Sequence, residues 1–144
     1  MDSRKKKTVL TPSDISPVDR GLRYKKIWRS IAYIIILIII VLSLIPHPER
    51  LAPFSASDKL LHAMAYAFTM LWFGFCFKRD KLLPIGAGLI LLGVALEVAQ
   101  GQTGYRTMSF HDIIANCVGV LFGLLLAFSR LSNALMYFEY KFFK

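Results

Sequence analysis

Residues 97–119 read EVAQGQTGYRTMSFHDIIANCVG. This stretch lies between two apolar segments, yet it carries Glu97, Gln100, Arg106, Ser109, His111, Asp112 and Asn116. Ionisable groups at or inside a membrane segment are costly, and they are kept where they face a protein interior or a water-filled cavity. The apolar flanks predict membrane helices. The polar insert between them predicts a site at one end of a helical bundle.

Composition agrees with a membrane bundle. The chain has 144 residues, of which 56% are hydrophobic, and a mean hydropathy of +0.52. That length suits one domain. The net charge is +9, and nine of the 18 Lys and Arg residues fall in the first 29 positions. Beside an apolar helix, such a tail is a cytoplasmic topology signal that attracts anionic lipid. Nucleic acid is not an expected partner, because no aromatic-interleaved basic surface accompanies the charge. Cys76 and Cys117 fall near opposite ends of the predicted bundle, so no disulfide is expected, and two lone thiols do not make a metal site. No cofactor is expected.

Outward from the insert, the chain divides into a basic tail (1–26), a four-helix membrane domain (27–128) and an interfacial tail (129–144). The first span, 27–45, is almost wholly apolar and stops at Pro46. It reads as a retained helix rather than a signal peptide, since no A-x-A-like cleavage site follows it. Trp28 and Tyr33 fit an interfacial aromatic belt. Residues 46–57 form a short extracytoplasmic loop with three prolines, and Ser57-Asp58 suits a helix cap. The second span is 59–77. Asp58, His62 and Tyr66 recur every four residues and share one helical face.

Lys78, Arg79 and Lys81 mark a cytoplasmic turn. The third span is 82–100, with Gly86, Gly93, Glu97 and Gln100 along one stripe where a neighbouring backbone can approach. The fourth is 110–128, with Asp112, Asn116, Gly119 and Gly123 on one face. Gly119-x-x-x-Gly123 is a small-xxx-small pattern, usable within the bundle or in a homo-oligomer. The loops on one side hold few basic residues. The positive-inside rule therefore places both termini in the cytoplasm and every unusual polar residue on the outer side.

The candidate site gathers Asp58, Lys59 and His62 from the second helix, with Tyr66 a turn deeper. Glu97 and Gln100 come from the third helix. Arg106, Asp112 and Asn116 come from the loop and the fourth, near Ser109. Acids and bases nearly balance, which lets the cluster neutralise itself on desolvation. Structural readings stand beside the functional one. Asp58 and Asp112 can cap helices, His62 can be a packing residue, and Glu97 can pair with Arg106. Asn116 can fasten helices, a contact worth roughly 1 kcal/mol. His111 points about 100° away from Asp112 on a helix and is left out.

As chemistry, His62 with Glu97 or Asp112 suits acid–base work, which makes these three the catalytic candidates. Arg106 and Lys59 suit a phosphate or carboxylate. A metal site from His62, Glu97 and Asp112 is conceivable, but no H-x-x-x-H or cysteine spacing supports one. No glycine-rich phosphate loop or G-x-S-x-G elbow is present.

SDKLLHAMAY at 57–66 and EVAQ…YRTMSFHDIIANCVGVLFG at 97–123 resemble the VanZ-like family of small bacterial membrane proteins. The resembling pattern is D-K-x-x-H, then E-x-x-Q, R, D-x-x-x-N and G, and it covers about residues 30–128. The resemblance implies a multi-pass four-helix domain in the bacterial cytoplasmic (inner) membrane. It also implies a link to a family whose founding member is associated with low-level teicoplanin resistance. Asp58, Lys59, His62, Glu97, Gln100, Arg106, Asp112 and Asn116 would be its polar signature. The expected function is binding of an anionic lipid or lipid-linked cell-wall intermediate at the outer face. The alternatives are an enzyme acting on such a lipid and a structural or partner-binding subunit.

Overall fold

The structure, a computed structural model, describes residues 22–46 and 58–142. Most of the basic tail, the proline-rich loop and the Ser57 half of the expected cap lie outside them. Four long helices run in order: α1 over Lys25–Leu44, α2 over Asp58–Cys76, α3 over Arg79–Gly101 and α4 over Phe110–Phe128. A 3-10 turn at Arg130–Asn133 leads into a short α5, Ala134–Phe142.

The helix limits follow local chemistry. α4 has the bounds its sequence predicts. α3 starts three residues before its predicted start, because Lys78 is extended and acts as N-cap. Asp80 then sits in the first turn, where a negative charge favours the helix dipole. The basic cluster taken as a turn is thus largely helical.

Three of the helices, α1, α3 and α4, are long and apolar enough to cross a membrane. α2 is not among them. Asp58, Lys59 and His62 open it, and Tyr66, Thr69 and Trp72 interrupt its apolar run. It nevertheless packs against all three of the others.

Cross-helix hydrogen bonds define an up-down-up-down order. At one end, Arg29 Nε donates to Cys76 O at 3.2 Å and Arg79 Nη2 to Phe128 O at 3.2 Å. Each arginine meets the carbonyl end of a helix, where unpaired C=O groups and the negative dipole end favour a cation. At the other end, Gln100 Nε2 donates to Ser43 O at 2.7 Å. The bundle therefore has a basic end and, opposite it, the end that holds residues 97–112.

α2 and α4 run parallel and in register, and they make the tightest contact of the bundle. A Cβ added at Gly119 would lie 2.3 Å from Ala63 O, and one at Gly123 would lie 2.3 Å from Ala67 O. Lower down, the glycine is on α2: a Cβ at Gly74 would lie 2.3 Å from Ala127 Cβ. The small-xxx-small stripe is thus occupied inside one chain, and no homo-oligomer can use it while the bundle is intact. The α3 stripe works differently. Gly93 faces the side chains of Asn116 and Tyr66 rather than a backbone. Met70, Leu82, Leu89 and Val120 fill the centre.

The last segment is more than an interfacial tail. Glu139 is buried and accepts from Arg23 N at 2.8 Å, Tyr24 N at 2.9 Å and Trp28 Nε1 at 2.6 Å. α1 has no side-chain cap of its own, and this distant carboxylate holds the backbone that leads into it together with the Trp28 indole. Trp28 is correspondingly not a free belt residue: it packs edge-on against Trp72 and Phe138. Tyr33 stays exposed.

Candidate functional site

The parallel packing of α2 on α4 builds the site. It brings the first two turns of α2 beside the first turns of α4, although about fifty residues separate them. Asp58 and His62 are one turn apart, with His62 Nε2 3.7 Å from Asp58 Oδ1. The other Asp58 oxygen, Oδ2, accepts from Arg106 Nη2 at 3.0 Å. One carboxylate thus faces a histidine on one side and a guanidinium on the other. Asp112 closes the group: a ligand atom from each of Asp58, His62 and Asp112 lies within 4.8 Å of the others.

Glu97 is fully enclosed, but its partner is not Arg106. Its Oε1 accepts from Ser109 N at 2.7 Å. Ser109 is the N-cap residue of α4 and makes no side-chain cap of its own. In place of a Glu97–Arg106 pair, the structural alternative, there are two separate contacts, Glu97 to the α4 entry and Arg106 to Asp58. Both tie the loop to the bundle. Gln100 is also enclosed, and its bond to Ser43 O fastens α3 to the carboxyl end of α1. Its own carbonyl accepts from Thr103 Oγ1 at 2.7 Å. Tyr105, which sequence reasoning passed over, donates its hydroxyl to Leu44 O. An aromatic residue beside Arg106 in a loop was the available signal.

Lys59 does not join the group. It is exposed, and one residue of helix turns it about 100° away from Asp58. His111 is exposed as well, in agreement with its exclusion. The consequence is electrostatic. Without Lys59, three carboxylates (Asp58, Glu97 and Asp112) meet one fixed cation, Arg106, and a histidine. The near balance expected from the sequence becomes an acidic excess.

The enclosed polar atoms fall into two sets. Glu97 and Gln100 have partners and serve as fasteners. His62 Nδ1, Tyr66 OH, Arg106 Nη1 and Asn116 Oδ1 are buried with no hydrogen-bond partner among the described residues. Tyr66 and Asn116 meet at Gly93, where an added Cβ would lie 3.1 Å from Asn116 Nδ2 and 3.2 Å from Tyr66 OH. A buried polar group without a partner costs on the order of 1–3 kcal/mol. Four of them at one end of a bundle mark the part of the molecule that is not optimised for stability alone.

The class these features define is an all-helical protein with three helices able to cross a membrane and a polar cluster at one end. No family model, curated protein or solved structure matches the chain.

Proposed function

We propose that this is a VanZ-like, multi-pass protein of the bacterial cytoplasmic membrane that binds an anionic lipid or a lipid-linked cell-envelope intermediate at its polar end. In this reading all four long helices cross the bilayer, both termini are cytoplasmic, and the polar cluster opens to the outer leaflet. Teicoplanin susceptibility would follow from capture of a cell-wall intermediate there. The observation that carries the reading is Arg106. Its side chain is 14% exposed, one nitrogen is held by Asp58, and Nη1 is buried without a partner among the described residues. A guanidinium fixed on one edge presents its remaining donors in a planar fork that matches phosphate. The basic end, with Arg29, Lys78, Arg79 and Lys81, supports the orientation.

The Asp58–His62 pair favours one second reading, an enzyme acting on the same lipid. A carboxylate beside an imidazole whose other nitrogen is unoccupied suits general acid–base work. Asp112 remains available beside that pair. Glu97, held by the α4 entry, is the weakest of the three catalytic candidates.

Native mass spectrometry of the full chain released from membranes tests the binding. Wild type is expected to carry an anionic lipid that Arg106→Ala loses, while Lys59→Ala keeps it. Equal lipid retention by wild type and a folded Arg106→Ala ends the proposal. The orientation has a separate test. In a background with Cys76 and Cys117 replaced by serine, Gly104→Cys is expected to react with a membrane-impermeant maleimide added to whole cells. Protection of that cysteine until the cells are broken reverses the topology.

A further inference from the structure

The acidic excess at the polar end has a partner in chemistry that no single motif of the chain displays. We propose that Asp58, His62 and Asp112 form a site for one first-row divalent cation, with Zn2+ and Mn2+ as the fitting ions. Their three ligand atoms come from two helices and lie within 4.8 Å of one another. Ligands about 2.0–2.2 Å from a zinc ion sit up to about 4 Å apart, so small side-chain rotations close the group.

Asp112 is the independent observation. It is 5% exposed, and its carboxylate faces Asp58 and His62 across the α2–α4 contact. A buried carboxylate is stable when paired or when it coordinates a metal. Its neighbours include His62 and Asp58, both competent ligands, with Glu97 near enough to add a further negative charge. His62 has Nδ1 buried without a partner and Nε2 toward Asp58, so neither nitrogen is committed to a strong donor or acceptor elsewhere.

Arg106 completes the arrangement instead of opposing it. It holds Asp58 by Oδ2, while Oδ1 is the oxygen nearer His62. A ligating carboxylate held through its outer oxygen is oriented by that contact, as outer-sphere partners orient metal ligands generally. One imidazole and two carboxylates form a mixed nitrogen–oxygen set, which suits borderline and hard divalent ions rather than copper(I). Three protein ligands leave coordination positions open to a water or an anionic oxygen.

The local spacing hid this site because only Asp58 and His62 share a helix. Their i, i+4 placement is that of H-x-x-x-H with an aspartate in the first position. The third ligand becomes adjacent only through the parallel α2–α4 contact.

The test uses the full chain with a purification tag free of histidine, stripped with a chelator and titrated with zinc chloride. Metal analysis is expected to give about one zinc per wild-type chain. Asp112→Asn and His62→Gln are expected to weaken binding by at least about tenfold, since even outer-sphere losses cost 10–100-fold. His111→Ala is expected to keep the zinc, while Arg106→Ala, which frees the outer oxygen of Asp58, is expected to weaken it about tenfold. Lipid is read by native mass spectrometry and zinc by metal analysis of the same wild-type protein, so failure of the lipid proposal and failure of this one stay distinguishable. Should Asp112→Asn not fold, zinc must still raise the melting temperature of wild type, as any ligand of the native state does. The proposal is overturned if zinc leaves that temperature unchanged, if a folded Asp112→Asn binds as wild type does, or if His111→Ala abolishes binding.

Discussion

Gly119→Ala and Gly123→Ala are each expected to lower the stability of the bundle by about 1–3 kcal/mol, the usual cost of overpacking a tight contact. The cause is backbone, not side chain. The new Cβ at position 119 would lie 2.3 Å from Ala63 O and 3.0 Å from both Ala63 C and Cα. At position 123 it would lie 2.3 Å from Ala67 O and 2.8 Å from Met70 Cβ. No rotamer change relieves contact with a carbonyl oxygen, so α2 and α4 must move apart. The two sites share one interface, and the double variant is expected to depart from additivity. Gly88→Ala is the internal control. Nothing lies within 4 Å of a Cβ there, and replacing a mid-helix glycine gains about 0.5–1 kcal/mol through chain entropy. Thermal melting in one detergent, followed by size-exclusion of the surviving monomer, compares all four. A Gly119→Ala protein that melts with wild type would mean that α2 and α4 do not meet along this stripe.

The same change carries a functional consequence. Asp112 and Asn116 lie on the α4 face that continues into Gly119 and Gly123, and all four are buried. Separation of α2 from α4 withdraws Asp112 from Asp58 and His62 before it unfolds anything. Polar-site occupancy should therefore fall at temperatures where the helices are still intact. A variant that loses zinc and melting temperature together, in proportion, ties the site to this interface.

How far the sequence could be read differs between faces and partners. Helical periodicity sorted inside from outside: Asp112, Asn116, Gly119 and Gly123 were placed on one face, and all are buried. Gly86, Gly93, Glu97 and Gln100 behave alike on α3. These assignments succeed because 3.6-residue spacing is a property of one helix. Partners are a property of two. Glu97 is the carboxylate of the same stretch as Arg106, yet Arg106 reaches Asp58, 48 residues away. Lys59 has the charge to meet a phosphate and belongs to D-K-x-x-H, but adjacent residues on a helix point about 100° apart. The rule that excluded His111 applies equally to Lys59. The span count met a different limit: three helices are apolar enough to cross a membrane, and α2, opened by Asp58, Lys59 and His62, is not among them.

Glu139 is where the sequence was least legible and where a single substitution should show most. In NALMYFEYKFFK it is one charge among aromatics. Tyr137, Tyr140 and Phe142 are exposed, while Glu139 is 6% exposed. The signal lay at the other end of the chain. α1 opens at Lys25 with no Ser, Thr, Asp or Asn at Tyr24 to cap it, so its first N–H groups need an acceptor from elsewhere. Glu139 supplies two oxygens to three donors, two of them backbone N–H groups at the positive end of the helix dipole.

Glu139→Ala removes all three bonds and is expected to cost about 2–4 kcal/mol of α5 docking, since hydrogen bonds to a charged group are worth about 1.5–3 kcal/mol each and are not additive. Glu139→Gln keeps the shape and some of the accepting capacity, and it should fall between. The readouts are local. Trp28 loses its indole acceptor and its cover from Phe138, so tryptophan emission should shift to the red. Trypsin should cut sooner after Arg130 and Lys141. The polar end should not respond, because Asp58, Arg106 and Asp112 lie at the opposite end of α2 and α4. An unchanged emission maximum and an unchanged cleavage rate in Glu139→Ala would mean that α5 is not held on α1 by this carboxylate.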